Sequence, residues 1–103
     1  MDYEVSIDKR ALDDLNQAVN YYNLQQKDLG EKFLVDFDTS LNTLSANPFF
    51  KVRYDDYRCL PLSKFPYMIH YIINEKKKRV EIYGVIHTSL DPEKSWLKTQ
   101  KKT

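Results

Sequence analysis

Two runs of helical periodicity followed by three runs of alternating apolar residues, in a chain of 103 residues, predict an α+β domain of order β-α-α-β-β-β. The expected architecture is an antiparallel sheet, its first strand at an edge, covered on one face by an antiparallel helical hairpin. The length suits one core and leaves no room for a second.

The segment "YEVSI" offers a short first strand, and Asp8 behind it is a suitable N-cap for a helix beginning at Lys9. Ala11, Leu15, Ala18 and Tyr22 recur at helical spacing, with Leu12 and Val19 widening the stripe, and this first helix ends near Gln26. In "DLGE", Asp28 precedes Glu31 by three residues, the spacing of a capping box that would open a second helix. Phe33, Phe37, Leu41 and Leu44 form its buried stripe, and Asn47 with Pro48 stops it. The link between the helices is short, so they pair antiparallel, with Asp13, Asp14, Asp36 and Asp38 expected on the outer faces.

From residue 50 the pattern changes to strands: "RYDDYRCLPL", "FPYMIHYII" and "RVEIYGVIH", the last two joined by the polar turn "NEKKK". A register that sets Ile73 against Val80 also sets Tyr71 against Ile82 and Tyr67 against Ile86. Tyr67, Ile69, Tyr71, Ile73, Val80, Ile82 and Ile86 then share one apolar face, where the helices should pack. Met68, His70 and Ile72 fall on the other face with Glu81, Tyr83, Val85 and His87. After His87, "TSLDPEKSW" reads as an exit turn leading to a short helix or arm, with Trp96 anchoring it over the sheet edge or stacking on a ligand. The expected domain is 1–97, with 98–103 a basic, flexible tail.

Hydrophobic residues at 42% and charged residues at 30% fit a water-soluble globular protein. The opening "MDYEVSIDKR" is too acidic for a signal peptide, and no apolar run is long enough to span a bilayer. The single Cys59 points to a reducing, cytoplasmic setting. Charge is polarised: residues 1–50 hold 9 acidic and 4 basic side chains (net −5), whereas 51–103 hold 6 and 12 (net +6). That asymmetry suggests an acidic partner, or nucleic acid, for the second half. Two isolated glycines make no phosphate-cradling loop, so no cofactor is expected, and the histidines lack metal-ligand spacing. Ser89, His87 and Asp91 are neighbours in one turn, where they suit backbone hydrogen bonds better than a catalytic triad.

What remains is a cluster expected on or beside the open sheet face: Arg58, Lys64, His70, Tyr83 and His87, with Tyr67 and Arg79 at its margins. Metal-independent RNA cleavage needs a base for the 2′-OH, a cation for the phosphate and an acid for the leaving oxygen, and these residue types can supply all three. The same types are enriched in protein interfaces. For His70 the alternatives are packing, partner contact or catalysis, with packing favoured. The "KKKR" run, Lys76 to Arg79, reads as a solvated turn, with phosphate contact as the sharper alternative.

The order of "ALDDLNQAVNYY", "LGEKFLVDF", "NPF", "FPYMIHYII" and "IYGVIHTSLDPEKSW" resembles the toxins of the RelE/ParE superfamily, components of bacterial type II toxin-antitoxin modules, and more closely the ParE-like branch. The resemblance covers most of the chain. It implies the same helical hairpin on a small antiparallel sheet. It also implies a plasmid-stabilisation type of toxin, neutralised by a cognate antitoxin in a hetero-oligomer and meeting nucleic acid only through antitoxin or target complexes. RelE-like members are ribosome-dependent mRNA endonucleases with several Lys and Arg on the central strands; ParE-like members inhibit DNA gyrase. By that resemblance Arg58 matches a basic position, and Arg58 and His87 are the candidate catalytic residues if the chain is a nuclease. Met68, however, stands where the nucleases carry an arginine and Leu60 where they carry a lysine, while Trp96 lies only near the catalytic tyrosine position. The expectation is therefore a toxin that acts by binding, with Arg58, Lys64, His70, Tyr83, His87 and Trp96 as partner contacts. The alternatives are an endoribonuclease and a non-toxic antitoxin-binding member.

Overall fold

The computed structural model describes residues 2–89, so the expectations for Asp91, Trp96, the terminal arm and the tail lie outside the described residues. Its elements are β1 (Glu4–Ile7), α1 (Lys9–Gln25), α2 (Leu29–Ala46), β2 (Val52–Tyr54), β3 (Tyr57–Pro61), β4 (Tyr67–Asn74) and β5 (Arg79–His87). They form one five-stranded sheet in the order β1-β5-β4-β3-β2 under the two helices.

Helix α1 starts where its cap dictates. Asp8 is extended, and its carboxylate accepts the Arg10 backbone N–H at 3.0 Å and the Arg10 Nε–H at 3.1 Å, which together hold its pKa below the usual carboxylate value. Ala11, Leu15 and Ala18 are buried, as their spacing requires. Helix α2 begins differently from a capping box. Asp28 sits in the left-handed region (φ 66°) and its side chain makes no cap bond. Instead Asn23 of α1 reaches across and its Oδ1 accepts the Gly30 N–H at 2.8 Å. The start of α2 is thus satisfied from the preceding helix. Gly30 permits that closeness, since a Cβ there would lie 2.7 Å from both the Val19 carbonyl oxygen and Asn23 Oδ1.

The sheet corrects the sequence reading in three ways. First, it is mixed: β1 lies at an edge as expected but runs parallel to β5, pairing Glu4 with Arg79 through Ile7 with Ile82. Second, "RYDDYRCLPL" supplies two strands, because Asp55 (φ 46°) turns the chain and lets Tyr54 pair with Tyr57. Third, Ile73 faces Val80 and Tyr71 faces Ile82 as expected, but a bulge then shifts the register by one. His70 lies opposite Gly84, Met68 opposite Ile86 and Tyr67 opposite His87, leaving Tyr83 as the extra residue. The slip exchanges faces: Val85 enters the helix-covered core, and Ile86 joins Met68 on the other side. Asp14 meets β5 just past the bulge, accepting the Val85 N–H at 3.0 Å.

Two of the four acidic side chains expected outside are thereby inside. Asp36 is 5% exposed and Asp14 is half-buried, whereas Asp13 and Asp38 are exposed. The main core joins Phe33, Phe37 and Leu44 of α2 with Ile69, Tyr71, Val80, Ile82 and Val85 of the sheet. At one end Tyr22, Phe33, Phe65 and Tyr67 pack ring against ring, with centroids 4.9–6.1 Å apart. The second sheet face carries its own small buried layer of Tyr54, Met68, His70 and Ile86.

Candidate functional site

The fold disperses the cluster expected from the sequence. Arg58 shares its face with Tyr71, its cross-strand partner, and so lies on the helix side of the sheet. There its guanidinium donates to the Phe50 carbonyl and sits 5.6 Å from the Phe49 ring centroid. Tyr71 binds the same loop, its hydroxyl donating to the Pro48 carbonyl at 2.7 Å. Arg58 therefore ties down the segment that leaves α2.

Lys64 is exposed in the β3–β4 connection. The loop beneath it is fixed by Asp36, whose carboxylate accepts three consecutive backbone N–H groups, from Ser63 (3.2 Å), Lys64 (2.8 Å) and Phe65 (3.2 Å). A buried anion in a nest of amides is a strong local constraint, and it sets where Lys64 leaves the surface.

His70 is 1% exposed. Its Nδ1 meets the Tyr54 hydroxyl at 2.6 Å and Cys59 Sγ at 3.4 Å. Burial first, and the Arg53 charge second, bring its pKa down to about 4, so the ring is neutral at physiological pH. Enclosed and reluctant to take a proton, His70 makes a poor base for a substrate arriving from solvent. Burial likewise pushes the Cys59 thiol up to about 11, which keeps it protonated and weakly nucleophilic.

Tyr83, the bulge residue, belongs to a separate group. Arg10 lies 5.6 Å from its ring centroid, the Tyr57 ring stands edge-on at 6.1 Å, and its hydroxyl donates to Glu81 Oε1 at 3.4 Å. Burial, then the Glu81 carboxylate, raises its pKa. His87 ends β5 on the helix side, its ring edge-on to Tyr67 at 5.2 Å. Its Nδ1 accepts the Ser89 N–H at 3.1 Å and lies 2.8 Å from Ser89 Oγ, a local turn bond. Arg58 and His87 thus share the helix side of the sheet but engage different partners, while His70 lies on the other face. Among the described residues no group of three or more His, Cys, Asp or Glu is arranged to hold a metal ion.

Two residues outside the expected cluster matter as much. Arg53 places Nη1 3.3 Å from Met68 Sδ, and Tyr54 closes over His70. Strand parity in "RYDDYR" holds the signal for Tyr54 alone, whose partner Tyr57 shares a face with Cys59 and so with His70; Arg53 reaches that face through the irregular pairing between Val52 and Tyr54, which alternation does not show.

The sequence profile described as "ParE toxin of type II toxin-antitoxin system, parDE" matches residues 5–92. The chain belongs to this ParE toxin family. A search of curated proteins gives no significant match. Solved structures agree with the family fold. The chromosomal ParDE system from P. aeruginosa is similar at a TM-score of 0.71 and 17% identity, over 82% of this chain and 95% of that one. The isolated E. coli RelE toxin is similar at 0.65 and 19% identity, over 95% and 97%, and the toxin in the intact E. coli RelBE complex at 0.64 and 20%, over 82% and 95%. For this ParE-family chain those identities carry the fold alone. No helix among its described residues is long and apolar enough to cross a membrane.

Proposed function

We propose that this ParE-family chain is a toxin that acts in the cytoplasm by binding a protein target, DNA gyrase, and is neutralised by a cognate antitoxin in a hetero-oligomer. The single domain 1–97 carries that activity, with 98–103 as a tail. The observation that carries the binding mode is the dispersal of the catalytic candidates. Arg58 is spent on the Phe50 carbonyl and His87 is bonded into a local turn with Ser89, while the other histidine, His70, is sealed under Tyr54 on the opposite sheet face and kept neutral. RNA cleavage would require a base and a cation to meet at one phosphate, and each missing contact would cost on the order of 2–4 kcal/mol of transition-state stabilisation. The place where the ribonuclease branch keeps an arginine holds Met68, which is 7% exposed. Gyrase as target follows from the resemblance to the ParE-like branch. The antitoxin partner draws on solved relatives named as ParDE and RelBE complexes.

Arg53 gives the nuclease reading its one foothold, since its guanidinium reaches the Met68 sulfur. The experiment is purified-gyrase supercoiling run beside mRNA integrity in a translating extract, each with wild type and Arg53→Ala. Loss of supercoiling with intact mRNA supports the binding reading. Cleaved mRNA that Arg53→Ala protects, with supercoiling untouched, overturns it.

A further inference from the structure

The turn that joins β4 to β5 carries Glu75, Lys76, Lys77 and Lys78, all exposed, and leads into Arg79. Arg79 is engaged by Glu4 at 3.1 Å, but among the described residues no carboxylate pairs with Lys76, Lys77 or Lys78. The tip is also fixed from three strands. Asn74, paired with Arg79 at the base of the turn, accepts the Lys77 N–H through its Oδ1 at 3.2 Å. The Lys78 N–H donates to the Glu75 carbonyl at 3.3 Å, and the Lys78 carbonyl accepts the Glu4 N–H of β1 at 3.0 Å. Lys78 itself sits in the left-handed region at φ 51°, where turns ordinarily place Gly or Asn. A lysine held at a strained turn position, next to two more lysines without an ion pair, works against folding and points to a use for the charge.

We infer that this turn contacts the sugar-phosphate backbone of duplex DNA, with Lys76, Lys77 and Lys78 each neutralising a phosphate. Residues 74–79 include no aromatic side chain on which an unstacked base could lie, so a single strand gains nothing there beyond charge. Nor do they include an apolar side chain to enter a bilayer or to anchor an acidic peptide. A rigid array of point charges with neither feature suits the dense, regular charge of a duplex. Such a contact is independent of base sequence, because phosphates carry none. The inference does not rest on the chain's target being gyrase.

The test uses the full chain and a fluorescein-labelled duplex of about 20 base pairs, titrated by anisotropy across roughly 50 to 200 mM KCl and followed by backbone amide NMR. Three phosphate contacts predict a slope of log affinity against log salt of about −2.7, with amide shifts centred on residues 75–79. The triple variant Lys76→Gln/Lys77→Gln/Lys78→Gln should bind about tenfold or more weakly at the lowest salt and flatten the slope. All three side chains are exposed, so its thermal midpoint should match wild type. Lys78→Gly alone should bind more weakly yet melt about 2–5 °C higher, since glycine relieves the left-handed strain. A duplex that does not bind, a triple variant with unchanged affinity or slope, or a Lys78→Gly variant that melts lower would each overturn the inference. So would tighter binding of single-stranded RNA, of a Glu-rich peptide or of phosphatidylglycerol vesicles. The triple variant also separates this inference from the proposed function. Inhibition of gyrase by a wild type that ignores the duplex removes the DNA contact alone, and supercoiling inhibited by wild type but spared by the triple variant removes the gyrase reading alone.

Discussion

Replacing Asp36 by Ala deletes one side chain but withdraws the acceptor from three successive amides at 3.2, 2.8 and 3.2 Å. Hydrogen bonds to a charged group contribute roughly 1.5–3 kcal/mol each. Ser63 and Lys64 are exposed, so their amides can regain water once the carboxylate is gone; Phe65 packs against Tyr22 and Phe33 and regains it less well. The net loss should be about 3–4 kcal/mol, lowering the thermal midpoint of a domain this size by roughly 15–20 °C. Asp36→Asn keeps one acceptor oxygen and should lose about half as much. Calorimetry or thermal circular dichroism measures both, and amide hydrogen exchange at residues 63–65 should accelerate before the rest of the chain. If Asp36→Ala melts within about 5 °C of wild type, the carboxylate is not the clasp that holds the β3–β4 connection.

Three further outcomes follow from other contacts. Between pH 6.5 and about 4 the unfolded chain binds a proton at His70 that the native chain refuses, so stability should fall with pH across that window by roughly 3 kcal/mol; denaturant titrations at several pH values should show a flatter profile for His70→Gln, and a wild type that stabilises on acidification would contradict the burial of His70. Tyr54→Phe removes the hydroxyl 2.6 Å from His70 Nδ1 and should cost about 1–2 kcal/mol in urea unfolding, with little change in the unfolding slope. Gly30→Ala puts a methyl 2.7 Å from the Val19 carbonyl oxygen and should cost about 1–3 kcal/mol, and an unchanged midpoint would mean the helices are not in backbone contact there.

Helix α1 was legible in the sequence because cap and stripe agree, Asp8 sitting one residue before Lys9 and Ala11, Leu15 and Ala18 repeating at helical spacing; α2 was legible from its stripe alone, since Asp28 makes no cap bond. The direction of β1 was not, since nothing in "EVSI" states whether its neighbour runs with it or against it. The bulge was equally silent, because Ile82, Tyr83, Gly84, Val85 and Ile86 accept either parity, and only packing decides which of Val85 and Ile86 goes inward. Asp36 was misplaced by its chemistry, not its phase: it shares the buried stripe with Phe33, Phe37 and Ser40, but a carboxylate on a helix is ordinarily read as solvent-facing. The candidate site suffered most. Alternation put His70 and His87 on one open face with Arg58 on or beside it, whereas the slip at Tyr83 turns His87 to the helix side, where pairing with Tyr71 also sets Arg58, and leaves His70 on the other.

Supercoiling by purified gyrase, titrated with the wild-type chain alone and then with a cognate antitoxin added, tests the central claim most directly. Concentration-dependent loss of supercoiling, restored by the antitoxin while mRNA in a translating extract stays intact, is the expected result. Undisturbed supercoiling together with cleaved mRNA would contradict it.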